Sequence, residues 1–343
     1  MIRADEGVGF LLRYENVAWY ENGQVRILDR RIFPVRTEYV ICKSYKEVAK
    51  AIKDMVTQSA GPYTAAAMGM VLAAYEVRNE NRHNITSFLK TAAYELSHAR
   101  VTTSKAMEQI TDTAYKIAMD ALNNGEDVVE KLREYAVIRI NNNYLKYERT
   151  ASYLFDRIPD DGVILTQCFA ETVLAMLFKK INETGKNVKV ICAETRPYFQ
   201  GARLTASLAN EMGLDTTVIT DNMVAYALEH MYVDLFTSAA DVITMDGSVI
   251  NKIGTNQIAL LAKYYGVPYY VTGEPSLAYE SAENVVIEQR DPEQVLSFME
   301  TKIVEEGVKG VYPAFDITPA SLIRGVVTDK GILKPDELYK YYK

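Results

Sequence analysis

The spacing of apolar residues changes twice along the chain. Over residues 8–42, short apolar pieces at 17–20, 24–28 and 39–42 alternate with turn residues such as Asn22-Gly23. That alternation predicts a small sheet or a pair of hairpins. From Ser44 to about Tyr147 the period becomes helical, with Ser44 as a helix cap and Glu47 at the capping-box position. Between 101 and 122, Val101, Ala106, Ile110, Ala114, Ile117, Ala121 and Leu122 recur mostly at three- and four-residue spacing, one apolar stripe on a helix. Residues 1–148 are therefore expected to form a mostly helical domain with a small β element.

Beyond residue 150 the pattern turns to short continuous apolar runs at 163–166, 188–192, 217–220, 234–238, 269–272 and 285–287, with helical stretches between most of them. Continuous apolar strands alternating with helices indicate a parallel sheet covered on both faces. Residues 149–343 are thus expected to form a Rossmann-like, doubly wound α/β domain, and the fold class is α/β. The first predicted strand has no Gly-x-Gly-x-x-Gly after it, which argues against a dinucleotide-binding dehydrogenase.

Composition narrows the partners. Of 343 residues, 48% are hydrophobic and 24% charged, and the formal net charge is −7. An acidic chain without clustered Lys and Arg is a poor nucleic-acid binder. Cys42, Cys168 and Cys192 are too few and too scattered for a disulfide framework or a zinc site, and no metal is expected. His83, His98 and His230 lack metal-ligand spacing and read as structural or solvated. No apolar run reaches the roughly 18 residues of a membrane span, and the first residues lack the apolar stretch of a signal peptide. A cytoplasmic protein without membrane contact is the expectation.

Polar groups collect just after the predicted strands of the second half. Cys168 closes Gly162-Val-Ile-Leu-Thr-Gln-Cys168. Glu194-Thr-Arg196-Pro-Tyr-Phe-Gln200-Gly201 follows the second strand, Asp221-Asn222 the third and Asp241 the fourth. Asn251-Lys252-Ile-Gly254-Thr255 is read as the start of a further helix. In an open parallel sheet these carboxyl-end positions converge, and ligands bind there. A helix N-terminus with Lys252 beside it suits an anion, and the guanidinium groups of Arg196 and Arg100 could add bidentate phosphate contacts. Each group also has a plainer reading. Cys168 could be a packed core thiol, Asp241, Asp221 and Asp246 turn caps, and Lys252 a solvated lysine.

Taken together, Thr195-Arg-Pro-Tyr-Phe-Gln-Gly-Ala-Arg-Leu-Thr-Ala206, Val218-Ile-Thr-Asp-Asn222 and Asn251-Lys-Ile-Gly-Thr255 resemble the methylthioribose-1-phosphate isomerase family. That family shares its fold with ribose-1,5-bisphosphate isomerases and with the alpha, beta and delta subunits of eukaryotic initiation factor two B. Tyr45-Lys-Glu-Val-Ala-Lys-Ala-Ile-Lys-Asp-Met55, Ile287-Glu-Gln-Arg-Asp-Pro292 and Pro313-Ala-Phe-Asp-Ile-Thr-Pro319 extend the resemblance over nearly the whole chain. The resemblance implies a catalytic pair, Cys168 and Asp241, and substrate contacts from Arg100, Gln200, Asn251 and Lys252, with Arg196 and Gly61 as further candidates. It implies an aldose-1-phosphate to ketose-1-phosphate isomerase of methionine salvage, a sugar-phosphate substrate, no metal or organic cofactor, and a homodimer. The initiation-factor subunits, a non-catalytic alternative, generally lack the Cys–Asp pair.

The chain also departs from the family pattern. Ser59-Ala60-Gly61-Pro62 stands where the isomerases usually carry Arg-Gly-Ala-Pro, Phe169-Ala-Glu171 where they tend to Asn-Ala-Gly, and Asp246-Gly-Ser248 where Asn-Gly-Asp is usual. These changes bear on the group at C5 of the sugar, so 5-deoxyribose 1-phosphate and ribose 1,5-bisphosphate stand as alternative substrates. Mechanistically, Asp241 is expected to protonate the ring oxygen, its carboxyl raised by burial, with Cys168 as the proton-transfer partner at C1 and C2. The two roles can be exchanged without conflict with the sequence.

Overall fold

The computed structural model describes residues 3–100, 104–298 and 301–343. The chain divides into two compact units, residues 1–145 and 146–343.

The first unit opens with a helical turn, α1 (Tyr14–Val17), and an antiparallel sheet of β1 (Ala18–Glu21), β2 (Gln24–Leu28) and β3 (Tyr39–Cys42). The turn between β1 and β2 needs two residues with positive φ. Asn22 at 50° and Gly23 at 78° supply them. Five helices follow: α2 (Tyr45–Lys53), α3 (Gly61–Glu76), α4 (Arg82–Ser97), α5 (Ser104–Asn124) and α6 (Val128–Phe155), the last continuing into the second unit. Thirteen of the sixteen residues of α3 are buried, because α2, α4, α5 and β1 pack around it. Its run of Ala, Gly and Met lets neighbours approach from every side.

Two sequence details of this unit are displaced. The Ser44 hydroxyl accepts the Glu47 N–H, but the Glu47 carboxylate reaches back to the Lys43 N–H at 2.6 Å, one residue before the expected capping-box donor. On α5 the buried stripe is Met107, Ile110, Thr111, Ala114, Ala118 and Ala121; Ala106 is exposed, and Ile117 and Leu122 flank the stripe half-buried. Val101 lies outside the described residues.

The second unit is built on a seven-stranded sheet. Its strands are β4 (Val163–Gln167), β5 (Lys189–Ala193), β6 (Asp215–Ile219), β7 (Leu235–Ala239), β10 (Tyr269–Thr272), β14 (Gly325–Thr328) and β15 (Gly331–Leu333). The spatial order is β15-β14-β10-β7-β4-β5-β6, all parallel except β15, which returns antiparallel along β14. Taken from the β6 edge, the parallel strands follow the doubly wound order 3-2-1-4-5-6, so the chain reverses direction between β4 and β7. Helices α7 (Glu171–Thr184), α8 (Ala206–Glu211), α9 (Val224–His230) and α10 (Thr255–Tyr264) connect strands of this sheet. Leu165, Ile191, Phe236 and Val271 from the strands pack with Val224, Ala227, Ile258 and Ala262 from α9 and α10 in one continuous core.

A smaller antiparallel sheet joins β8 (Val242–Ile243), β9 (Val249–Lys252) and β13 (Phe315–Thr318). A short helix α11 (Glu293–Leu296) leads into the hairpin of β11 (Ser297–Phe298) and β12 (Thr301–Lys302).

Two expectations are corrected here. Residues 285–287 form no strand. Val285 and Ile287 instead cover the small sheet through Val242, Ile250, Ala314 and Phe315, while Val286 points out, and the sixth parallel strand is β14. Asn251 and Lys252 end strand β9 instead of opening a helix, because their backbone pairs with Asp316 and Phe315 of β13.

Candidate active site at the switch point

Cys168 follows directly after β4, and Asp241 lies two residues beyond β7. Thr166 pairs with Thr237, so the two strand ends are level and flank the point where the sheet reverses. Such a crevice is where ligands enter this kind of sheet.

The backbone at Cys168 is held in an uncommon conformation. Its φ is +61°, in the left-handed region that a residue with a Cβ rarely adopts. Two threonines fix it there. Thr195 Oγ1 accepts the Cys168 N–H at 2.9 Å and donates to the Ala193 carbonyl at 3.0 Å, and Thr205 Oγ1 donates to the Cys168 carbonyl. Thr195 and Phe199, on the neighbouring loop, also have positive φ. Their turn is pinned by Asp221, whose carboxylate accepts the N–H groups of Thr195 (2.8 Å) and Arg196 (2.7 Å). The turn role is therefore the one Asp221 fills. The chain then winds through a wide π-type turn, Gly201–Thr205, into α8. Only glycine fits at 201, since a Cβ would stand 1.8 Å from the Ala193 carbonyl oxygen.

Burial pushes the Cys168 thiol above its ordinary value. Lys252 pulls it back down, Asp241 pushes it up, and the Phe169 N–H and Arg290 pull it down. Lys252, Asp241 and Arg290 thus all act on the one thiol. Asp241 itself is exposed, not buried as its expected acid role called for. The reason is local: its backbone N–H pairs with the Ile250 carbonyl at the open start of the β8–β9 hairpin, leaving the side chain at the rim.

Lys252 is 4% exposed, with its ammonium 5.0 Å from the centre of the Phe315 ring. Asn251 is buried and donates to Thr255 Oγ1 at 3.0 Å. The single Thr255 Oγ1 proton is shared between the Lys252 carbonyl at 2.7 Å and Gln167 Oε1 at 2.8 Å, and Gln167 Nε2 donates to the Ile253 carbonyl. This network locks the Asn251–Lys252 segment to the end of β4, next to Cys168. Gln200 is 2% exposed, and its Oε1 accepts no hydrogen bond among the described residues, as suits a side chain placed for a ligand hydroxyl.

The α10 N-terminus differs from expectation. Its N–H groups at Gly254 (2.7 Å) and Asn256 (3.2 Å) are taken by the Asp316 carboxylate. The positive end of that helix therefore already faces an anion of its own chain. Charge for a ligand comes from side chains instead.

Arg196 Nη2 donates to the carbonyls of Val295 and Ser297, both at 3.1 Å, so this guanidinium straps α11 and β11 to the loop after β5. Asp246 accepts the Ser248 N–H at 2.9 Å within its own turn. Arg100 and Gly61 belong to the first unit. Arg100 is buried just beyond α4, and Gly61 opens α3, where a Cβ would meet Thr57 Oγ1 at 1.9 Å. Two residues of the second-unit site were not singled out from the sequence as site residues: Arg290 and Tyr312. Both lie at or beside the segments that carried the family resemblance, which is the one signal that could have marked them. Among the described residues, no group of three or more His, Cys, Asp or Glu could hold a metal ion, and no helix is long and apolar enough to cross a membrane.

Comparison with known proteins identifies the family. Residues 57–335 match the initiation factor 2 subunit family. Methylthioribose-1-phosphate isomerase of Carboxydothermus hydrogenoformans is 35% identical over 94% of this chain and 96% of its own length. The isomerase of Desulforamulus reducens is 33% identical over 93% and 96%. The crystal structure of 5-methylthioribose 1-phosphate isomerase from Pyrococcus horikoshii superposes with a TM-score of 0.82 at 26% identity, covering 95% of this chain and 94% of that one. Translation initiation factor eIF-2B, subunit delta, from A. fulgidus superposes at 0.77 with 29% identity, over 93% and 96%. With a matched family over most of its length and relatives above 30% identity nearly end to end, the chain belongs to the initiation factor 2 subunit family, alongside the methylthioribose-1-phosphate isomerases.

Proposed function

We propose that this chain isomerises S-methyl-5-thioribose 1-phosphate to S-methyl-5-thioribulose 1-phosphate, an aldose–ketose step of methionine salvage. It is an enzyme, an intramolecular oxidoreductase. The observation that carries this reading is the Cys168–Asp241 pair flanking the switch point of a chain that the isomerases match over more than nine-tenths of its length. A regulatory subunit has no need of a strained thiol coupled to a buried lysine.

The chemistry follows from the substrate. A phosphate on the anomeric oxygen keeps the aldose cyclic, so C1–O4 must break with a proton delivered to the ring oxygen. The C2 hydrogen must then reach C1. Cys168 and Asp241 supply the acid and the base. Burial keeps the proton on Cys168, and Asp241 stands exposed at the rim. These positions favour exchanging the roles expected from sequence: Cys168 gives a proton first and Asp241 takes one. Lys252, through its charge and its reach toward the thiol, eases that release and faces the phosphate; Asn251 and Gln200 hold sugar oxygens.

The protein acts as a homodimer in the cytoplasm. Supporting the dimer, α9 and α10 pack together and leave Met223, Tyr226, Leu260 and Tyr264 exposed on the second unit. Supporting the compartment, all three cysteines are free.

The test is to supply the purified protein separately with methylthioribose 1-phosphate, 5-deoxyribose 1-phosphate and ribose 1,5-bisphosphate and to follow ketose formation. Turnover of the first at the highest kcat/KM is expected, with Cys168→Ser and Asp241→Asn each lowering kcat by about 100-fold or more. Absence of turnover on all three, or full activity in both variants, would sink this reading. Preference for a different C5 group would move the substrate and leave the reaction class intact.

A further inference from the structure

Over the same Phe315 ring as Lys252 lies a second buried cation that the steps above do not use. The Arg290 side chain is 7% exposed. Its Nε donates to Glu288 at 2.8 Å, while Nη1 and Nη2 have no hydrogen-bond acceptor among the described residues. Aromatic rings surround the guanidinium: Tyr198 at 5.7 Å, Phe315 at 5.8 Å and Tyr312 at 5.9 Å. The Tyr312 hydroxyl is also buried; it makes no well-formed hydrogen bond among the described residues, and the Arg290 guanidinium is the donor that acts on it.

The pairing of two strands explains why these groups meet. Residues 288–290 run antiparallel to 312–314, with Arg290 N–H donating to the Tyr312 carbonyl at 2.9 Å and Ala314 N–H to the Glu288 carbonyl at 2.8 Å. Arg290 and Tyr312 are therefore directly opposite one another, on one face of the pairing. Three residues further on, Phe315 pairs with Lys252 and lies under both cations.

A guanidinium buried with two unpaired nitrogens is costly, by about 1–3 kcal/mol or more for such charged donors, unless something anionic meets it in use. Burial pushes the Tyr312 phenol up to about 12, with Arg290 pulling the other way, so it keeps its proton at neutral pH and can donate. Arg290 shares the Phe315 ring with Lys252, and both Arg290 and Tyr312 act electrostatically with Cys168, which sets the two donors on the Lys252 side of the thiol.

We propose that Arg290 and Tyr312 are further catalytic residues, forming an oxyanion pocket for the C2 oxygen of the sugar. This rests on the isomerase reading above. Over the whole turnover the ring oxygen gains one proton and the C1–O4 electron pair, the C2 hydroxyl loses one proton, and the C2 hydrogen ends on C1. That hydrogen travels either as a proton through an enol or as a hydride. In both routes the C2 oxygen keeps the electron pair of its O–H bond, which becomes the second bond of the new carbonyl. Negative charge therefore develops on that oxygen whichever route is taken, and fixed donors aimed at it lower the barrier. The phosphate is left to Lys252 and its neighbours.

Tyr312→Phe is the decisive variant, because it removes a hydroxyl whose polar neighbour is Arg290, the other member of the proposed pocket, and touches no backbone hydrogen bond. The expected result is a kcat lowered about 100-fold, KM within threefold of the parent, and a thermal unfolding midpoint no lower than the parent's. Arg290→Lys, which keeps the charge but loses the planar fork, is expected to lower kcat at least as much. A Tyr312→Phe kcat within threefold of the parent overturns the proposal. So does a KM raised tenfold at unchanged kcat, which would put the phosphate on this pair. Failure of the isomerase reading itself shows differently: the parent protein would then turn over none of the three sugars.

Discussion

Two ends of β-structure in the second unit both offer a place for negative charge, and they resolve it in opposite ways. At the end of β4 the chain holds Cys168 at a positive φ, clamped by Thr195 and Thr205, with Lys252 and Arg290 acting on its thiol. At the end of β9 the chain opens α10 and answers the positive helix terminus internally, with Asp316 accepting the Gly254 and Asn256 N–H groups. The first end keeps strain and unsatisfied charge where a substrate can use it. The second neutralises itself and serves as a rigid platform for Asn251 and Lys252. A helix N-terminus thus becomes an anion site only when its own chain leaves it open, and here the ligand's charge must be met by buried side chains.

The sharpest way to break that contrast is to relax the strained end. Cys168→Gly removes both the thiol and the steric penalty of a Cβ at positive φ, which amounts to about 1–3 kcal/mol. Loss of side-chain packing opposes that gain, so the unfolding free energy is expected to stay within about 1 kcal/mol of the parent's. The kcat on methylthioribose 1-phosphate should fall by 100-fold or more. Steady-state kinetics beside a denaturant titration read both. A loss of stability well above 1 kcal/mol would show that Cys168 packs more than it strains.

The self-neutralised end makes the second test. Burial pushes Asp316 up to about 6 from an ordinary value of 3.8. A carboxyl group whose value is raised in the folded state binds its proton more tightly folded than unfolded. Its ionisation therefore destabilises the fold. That effect is absent below 3.8, grows between 3.8 and 6, and is complete above 6. The ceiling is about 3 kcal/mol at 1.36 kcal/mol per pH unit. Asp316→Asn keeps an acceptor for the Gly254 N–H and removes the titration. The stability of the variant minus that of the parent is thus expected to rise between pH 4 and pH 7, by up to that ceiling. A difference that stays flat, or falls, would mean the two backbone hydrogen bonds outweigh burial at this carboxylate.

The same contrast marks what the sequence could disclose. Continuous apolar runs located β4, β5, β7 and β10 within a residue or two, because buried parallel strands write themselves as unbroken Val, Ile and Leu. The run at 285–287 carries the same letters but covers a small sheet, since tertiary packing and not propensity decides where β-branched residues go. Cys168 and Asp241 were legible as polar residues closing predicted strands. Asp316 and Arg290 were not, because their roles depend on antiparallel pairings between separate segments, 315–318 with 249–252 and 288–290 with 312–314. No local spacing encodes those meetings. The exposure of Asp241 was equally hidden, as it follows from where a two-residue strand begins.

The smallest effect tests the clamp instead of the thiol. Thr205 lies at the end of the π-type turn, fully buried, and its hydroxyl donates to the Cys168 carbonyl. Thr205→Val is nearly isosteric, so the shape of the buried side chain is preserved, while the Cys168 carbonyl loses its hydroxyl donor. An interaction of this kind contributes about 1 kcal/mol, and leaving the acceptor unpaired sets the expected destabilisation at about 1–2 kcal/mol. Because Thr195 still holds the Cys168 N–H, the backbone should keep its left-handed turn, with the thiol less firmly aimed. A kcat lower by about three- to tenfold follows, together with faster alkylation of Cys168 by iodoacetamide as the strand end loosens. If kcat and alkylation rate match the parent's while stability drops, Thr195 alone sets the thiol's position, and the strain at β4 is held from the β5 side only.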